Sequence, residues 1–136
     1  MSASPRFDLP LVENENEPFF QALEDGRLLV GRCGSCERHH YYPRPHCPHC
    51  WSDDVEWVPA CGQATLYTWS VIHTNDLPPW PSRVPYVAGV VELAEGPRMM
   101  THIVGAEGDE LSIGMPLEVE FVDLDEDLTI AAFRPA

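Results

Sequence analysis

Residues 33 to 50, "CGSCERHHYYPRPHCPHC", hold four cysteines in two pairs, Cys33-x2-Cys36 and Cys47-x2-Cys50, with ten residues between the pairs. No other feature restricts the fold of this chain as much. A C-x2-C turn brings two thiolates within reach of one ion and aims backbone N–H groups at the sulfurs; two such turns complete a tetrahedron. Zinc accepts that arrangement because its filled d-shell imposes no geometry of its own. The linker is shorter than the usual ~15–20 residues of such ribbons, but it still allows the chain to return. Four thiolates hold iron as well, so a rubredoxin-like iron site is the alternative. A redox dithiol needs only one pair and a βαβ surround that this pattern lacks. Four sulfurs leave no coordination position for water, so the ion is expected to hold the chain rather than to react.

Histidines crowd the same stretch. His39, His40, His46 and His49 stand beside the cysteines, and any one of them is chemically able to replace a thiolate. Four cysteines already satisfy a tetrahedral ion, so the histidines are expected to be exposed loop residues. Cys61 has no C-x2-C partner and is expected to be a small buried residue or an idle thiol.

The flanks read as follows. Residues 1 to 26 are an arm and a short helix. "NENEPFFQALEDG" offers Asn14 or Asn16 as cap, Pro18 in the first turn and Gly26 as stop. Phe19, Phe20 and Leu23 share one face, which either packs on the chain's own core or docks a partner. Residues 27 to 60 are the ribbon, with strands predicted at 27–32 and 38–43 leading into the knuckles, and a boundary at 59–62. Residues 61 to 136 read as β throughout. "ATLYTWSVI", "VPYVAGVVEL", "RMMTHIV", "PLEVEFVDL" and "LTIAAF" are five predicted strands, and "EGP" at 95–97 turns the second into the third. The fold class is therefore mainly β: a short N-terminal helix, a rubredoxin-like zinc ribbon, then a five-stranded OB-fold barrel, with a small sandwich as the alternative.

Charge narrows the function. The chain has 22 acidic residues against eight basic ones, a formal net charge of −14. All eight are arginines: Arg6, Arg27, Arg32, Arg38, Arg44, Arg83, Arg98 and Arg134. Such a field repels polyanions, which weighs against nucleic acid. A single-stranded nucleic-acid binder stacking bases on Tyr67, Trp69, Tyr41 and Tyr42 remains the second reading. No apolar run approaches the ~20 residues of a membrane span, and "MSASPRFDLP" lacks the regions of a signal peptide. A reducing, cytoplasmic setting is expected. No nucleophile elbow, phosphate-binding glycine loop or H-E-x-x-H motif occurs. His73 and His102 are the residues a free-standing enzyme would have to use, and each is a weak signal.

Several stretches together resemble a known family. They are "FFQALEDGRLLVGRCGSC", "YYPRPHCPHC", "WVPACGQATLYTWSVIH", "PYVAGVVELAEGPRMMTHIVG" and "IGMPLEVEF". The chain is similar to acyl-CoA-associated proteins in which a rubredoxin-like zinc ribbon precedes an OB-fold, formerly a domain of unknown function. It departs from them where Glu37 and Trp51 follow the knuckles, positions at which the family often has glycine or another small residue. The resemblance implies a non-catalytic accessory subunit of a thiolase-superfamily enzyme: a thiolase, an acyltransferase or a lipid-transfer-protein-like aldolase. An enoyl-CoA hydratase is a further partner it implies. Cys33, Cys36, Cys47 and Cys50 would hold Zn2+. Arg32 and Arg44, with Arg83, are the expected contacts to the phosphates of a CoA thioester at the partner interface.

Overall fold

The computed structural model describes residues 8–125 and 128–136. Helix α1 spans Glu17–Glu24. Asn16 stands at its N-cap, but its side chain accepts the Glu13 N–H at 2.7 Å and so fastens the preceding turn instead of the helix. Gly26 ends the helix at φ +78°, a conformation that costs glycine little, and the Arg27 N–H reaches back to the Ala22 carbonyl at 2.8 Å. Phe19, Ala22 and Leu23 are buried. Of the two readings of the helix face, packing on the chain's own core accounts for Phe19 and Leu23. Phe20 is only half-buried.

The ribbon is a three-stranded antiparallel sheet. Strand β1 (Leu29–Cys33) lies between β2 (His39–His40) and β3 (Val55–Pro59). The strand predicted at 38–43 is thus shortened to two residues. Strand β3 was not anticipated; the sequence pattern gave only a passage toward the boundary there. It pairs with β1 along its whole length, from Leu29 opposite Pro59 to Cys33 opposite Val55.

The remaining strands are β4 (Gln63–Ile72), β5 (Tyr86–Leu93), β6 (Arg98–Ile103), β7 (Pro116–Asp125) and β8 (Leu128–Pro135). They close into a barrel in the order β4-β5-β6-β8-β7. Only the β6–β8 contact is parallel. This five-stranded closed order is the OB-fold expected from the sequence, and it leaves the sandwich aside. Single 3-10 turns occupy Trp80–Ser82 and Gly108–Glu110.

One apolar core serves both parts. Phe19 and Leu23 of α1 and Leu28 and Val30 at the ribbon's base join Leu66, Val91, Leu117 and Phe133 of the barrel. The Ala60 N–H donates to the Leu28 carbonyl at 2.7 Å at the junction. Among the described residues, no helix is long and apolar enough to cross a membrane.

Candidate functional site

Two similar knuckles build the metal centre. In the first, the Glu37 N–H donates to the Cys33 carbonyl at 2.9 Å and the Cys33 N–H to the Arg38 carbonyl at 3.0 Å. In the second, the Trp51 N–H donates to the Cys47 carbonyl and the Cys47 N–H to the Ser52 carbonyl, both at 2.8 Å. Glu37 and Trp51 hold φ of 64° and 66°, the only positive values outside glycine among the described residues. A side chain at such φ is strained by roughly 1–2 kcal/mol. That strain gives the physical reason a small residue is favoured after each knuckle. The Ser35 and Ser52 hydroxyls, 2.8 Å apart, tie one knuckle to the other.

The four sulfurs of Cys33, Cys36, Cys47 and Cys50 lie within 4.8 Å of one another. Cys33 to Cys50 and Cys36 to Cys47 are each 3.6 Å apart. Zn–S bonds of ~2.3 Å give a tetrahedron edge of ~3.8 Å, so the spacing fits the ion. Backbone N–H groups of Ser35 and Cys36 point at the Cys33 sulfur at 3.3 and 3.4 Å, and that of His49 at the Cys47 sulfur at 3.3 Å. The Cys36 N–H is the strongest influence on Cys33, and with the Ser35 N–H it overcomes burial and draws the thiol down to about 6. The Ser52 N–H pulls Cys50 the same way, yet burial and the three neighbouring thiols push it up to about 12. Four sulfurs this close do not all give up their protons unless a cation replaces them, which is what a divalent ion supplies.

The histidines stay outside the sulfur cluster. His46 and His49 are exposed and His39 is half-buried. The His49 Nε2 sits 3.3 Å from the His39 carbonyl. His40 departs from the expectation of an exposed loop residue: it is buried at 4 % exposure. Its ring packs against Gly31, where an added Cβ would collide with the imidazole. Burial is the main reason its pKa is lowered, with the charge of Arg44 adding to the effect. Of the two readings of Cys61, burial is not met: it is exposed, and its N–H donates to Glu95 Oε2 at 2.8 Å.

Beside the knuckles lies a groove of about 630 Å³, walled by β2, the second knuckle and the β5–β6 turn. Arg38, Arg44 and Arg98 line it, together with His40 and the carboxylates of Glu37 and Glu95. The three expected CoA contacts are not brought into one site. Arg44 faces this groove. Arg32 lies on β1 opposite His39 and Glu56. Arg83 is on the barrel, paired with Asp8 at 2.9 Å and resting over the Trp80 ring at 5.5 Å. Arg98 was not singled out for CoA from the sequence, and it stacks over Tyr67 at 3.9 Å. Nothing local marks it; Arg44 and Arg98 meet only through the fold.

A second, apolar groove of about 300 Å³ runs between α1 and the barrel, lined by Phe19, Phe20, Tyr41, Tyr42, Met99 and Met100 among others. Tyr42 and Met100 are 55 % and 73 % exposed, whereas burial pushes the Tyr41 phenol far above its usual range. His73 is exposed at the end of β4. His102 stacks on Tyr86 with ring centroids 5.3 Å apart, and burial, then Arg83, lowers its pKa.

Residues 20–56 match the sequence model described as the ChsH2 rubredoxin-like zinc ribbon domain, and residues 57–122 match the ChsH2 C-terminal OB-fold domain. A solved structure titled "Ltp2-ChsH2(DUF35) aldolase" superposes with a TM-score of 0.82 at 37% identity, over 93% of this chain and 98% of that one. A probable enoyl-CoA hydratase alpha subunit of Thermomonospora curvata is 39% identical over 93% of this chain. The chain spans only 39% of that relative's length. A DUF35 domain-containing scaffold protein of Methanocaldococcus jannaschii is 33% identical, over 77% of this chain and 75% of its own. The benzoylsuccinyl-CoA thiolase subunit BbsA of Thauera aromatica is 31% identical, over 69% of this chain and 70% of its own.

Proposed function

The chain belongs to the ChsH2 (DUF35) family of zinc-ribbon and OB-fold proteins, and from that premise we propose that it is a non-catalytic accessory subunit of a thiolase-superfamily enzyme acting on acyl-CoA. The observation that carries this reading is the whole-chain likeness to the ChsH2 subunit type in an aldolase assembly. The names of the relatives point the same way, since they are a scaffold protein, a thiolase subunit and a hydratase alpha subunit. The partner supplies the reacting groups; this chain supplies a rigid docking body.

The ion is zinc, held by Cys33, Cys36, Cys47 and Cys50. A sulfur tetrahedron with every position taken by protein suits a structural ion. The docking face is the apolar groove beside α1, where Phe20, Tyr42 and Met100 reach solvent; exposed apolar patches of this kind mark protein contacts. A carbon–carbon bond-forming or -cleaving enzyme is the first partner, and an enoyl-CoA hydratase is a second, suggested by the hydratase subunit's name. Paired cysteines used as metal ligands rather than in disulfides suit a reducing compartment, the cytoplasm.

The test is purification of the tagged full chain from its native source, with co-purifying chains identified by mass spectrometry. Recovery of a thiolase-like enzyme in near-stoichiometric amount is the expected result. A lone monomer, or one carrying only oligonucleotide, would overturn the reading and return attention to the nucleic-acid alternative.

A further inference from the structure

The four tryptophans of this chain are not placed alike. Trp57 and Trp69 pack against the common core, and Trp80 meets the rings of Tyr86 and His102. Trp51 is 80 % exposed, more than any other large apolar side chain among the described residues. It lines neither of the two grooves described above. A single exposed apolar residue is ordinary on a protein surface. What sets this one apart is its backbone. At φ 66° a Cβ crowds the neighbouring carbonyl, and glycine or asparagine would sit there at less cost. Glu37 occupies the same position in the first knuckle at φ 64°. An exposed carboxylate there is simply solvated, whereas an exposed indole leaves its apolar faces in water. Strain kept where a smaller residue would serve points to a use for the side chain itself.

The backbone that carries the indole is also fixed on both sides. The Trp51 N–H donates to the Cys47 carbonyl and the Cys47 N–H to the Ser52 carbonyl, both at 2.8 Å. The Ser52 hydroxyl in turn accepts the Asp54 N–H at 3.1 Å and lies 2.8 Å from the Ser35 hydroxyl. Only the two side-chain torsions of Trp51 are left free, so little freedom is lost when the ring is covered. The charge around it has one sign. Asp53, Asp54 and Glu56 follow directly along the chain, all three are exposed, and none forms an ion pair among the described residues. Such a rim repels nucleic acid and anionic lipid and attracts a cationic protein surface.

We propose that Trp51 is a preformed anchor for a partner protein: its indole enters an apolar pocket rimmed by lysine or arginine, and Asp53, Asp54 and Glu56 meet those cations. Tryptophan is among the residues that most often carry the binding energy of a protein contact. Taking that protein to be the thiolase-like enzyme rests on the accessory-subunit reading. The anchor is a second contact, distinct from the apolar groove beside α1, which Trp51 does not line.

The experiment uses the zinc-loaded full chain and the enzyme that co-purifies with it, each purified and then recombined. Hydroxyl-radical oxidation, read residue by residue by mass spectrometry, reports side-chain exposure. Oxidation of Trp51 is expected to fall about fivefold or more on recombination, as water is excluded from an interface anchor. Ile113, 75 % exposed on the loop before β7, is the reference side chain. Trp51→Gly and Trp51→Asn both accept a positive φ, and each is expected to weaken enzyme binding about tenfold or more with zinc content unchanged. Asp53→Asn combined with Asp54→Asn is expected to weaken it less and to reduce its dependence on salt; an unchanged salt dependence would overturn the charged part of the proposal. Trp51 equally oxidised in the free and bound chain, or Trp51→Asn binding the enzyme as the parent does, would overturn the proposal and leave the accessory reading standing. A parent chain that has no enzyme partner in its native source would overturn both. Trp51-dependent binding to phosphatidylglycerol–phosphatidylcholine vesicles or to oligothymidylate, with enzyme binding indifferent to Trp51, would also overturn it.

Discussion

The ribbon and the barrel are held by different forces. In the barrel, closed pairing removes every edge and the interior is filled by side chains such as Leu66, Val91, Leu117 and Phe133, each at 1 % exposure or less. In the ribbon, the residues buried outside β1 are Leu28 at its base, the ligand Cys47 and the histidine His40. A sheet with a two-residue edge strand and so little apolar burial cannot offset its own ordering entropy. An ion on four thiolates supplies what packing does not, with apparent binding energies on the order of 10–16 kcal/mol for structural zinc. The barrel is a packed body; the ribbon is a metal-dependent attachment whose base, Leu28 to Val30, is shared with the barrel core.

The contrast can be broken most severely at a ligand. Cys47→Ser should abolish zinc binding and partner recovery, while the circular dichroism of the barrel strands persists. Collapse of the whole chain would mean the barrel depends on the ion too. Phe133→Ala, at 0 % exposure, should do the reverse. It should cost ~3–5 kcal/mol in denaturant melts while zinc content stays at one per chain. Gly31→Ala should cost less than either, at ~1–3 kcal/mol, because its Cβ drives the His40 ring out of place. A smaller effect of opposite sign is expected at the knuckles: Trp51→Gly relieves a positive φ and should alter stability by less than ~1 kcal/mol, toward greater thermal stability of the ribbon.

The pH response sharpens the same comparison at the smallest scale. Burial lowers the pKa of His102 in the folded barrel, so the unfolded chain binds the proton more readily. Stability from this group is present above its unfolded value near ~6.5 and is lost as pH falls through that value toward the lower folded one. His102→Asn should flatten the barrel's stability between pH 7.5 and 5.5, read from urea midpoints; an unchanged slope would assign the acid sensitivity elsewhere.

The ligand set was legible because C-x2-C spacing is local, and the barrel because its strands alternate over six or more residues each. Strand β3 was not. "VEWVP" is five residues beside acidic neighbours, and its strand character comes from pairing with β1, which no local pattern encodes. His40 was read with the other loop histidines; what buries it is Gly31 across the sheet, a contact set by register. The groove was only half visible. Sequence proximity groups Arg32 with Arg38 and Arg44, while the fold keeps Arg32 on β1 outside the groove lining, pairs Arg83 with Asp8, and brings Arg98 from the barrel instead.

The most direct measurement is residue-resolved hydrogen exchange on the full chain, zinc-loaded and after chelation. Loss of protection confined to residues 33–54, with β4 to β8 as protected as before, is the expected result. Equal protection in both states, or loss spread evenly through the barrel, would contradict a metal-held ribbon on a self-sufficient barrel.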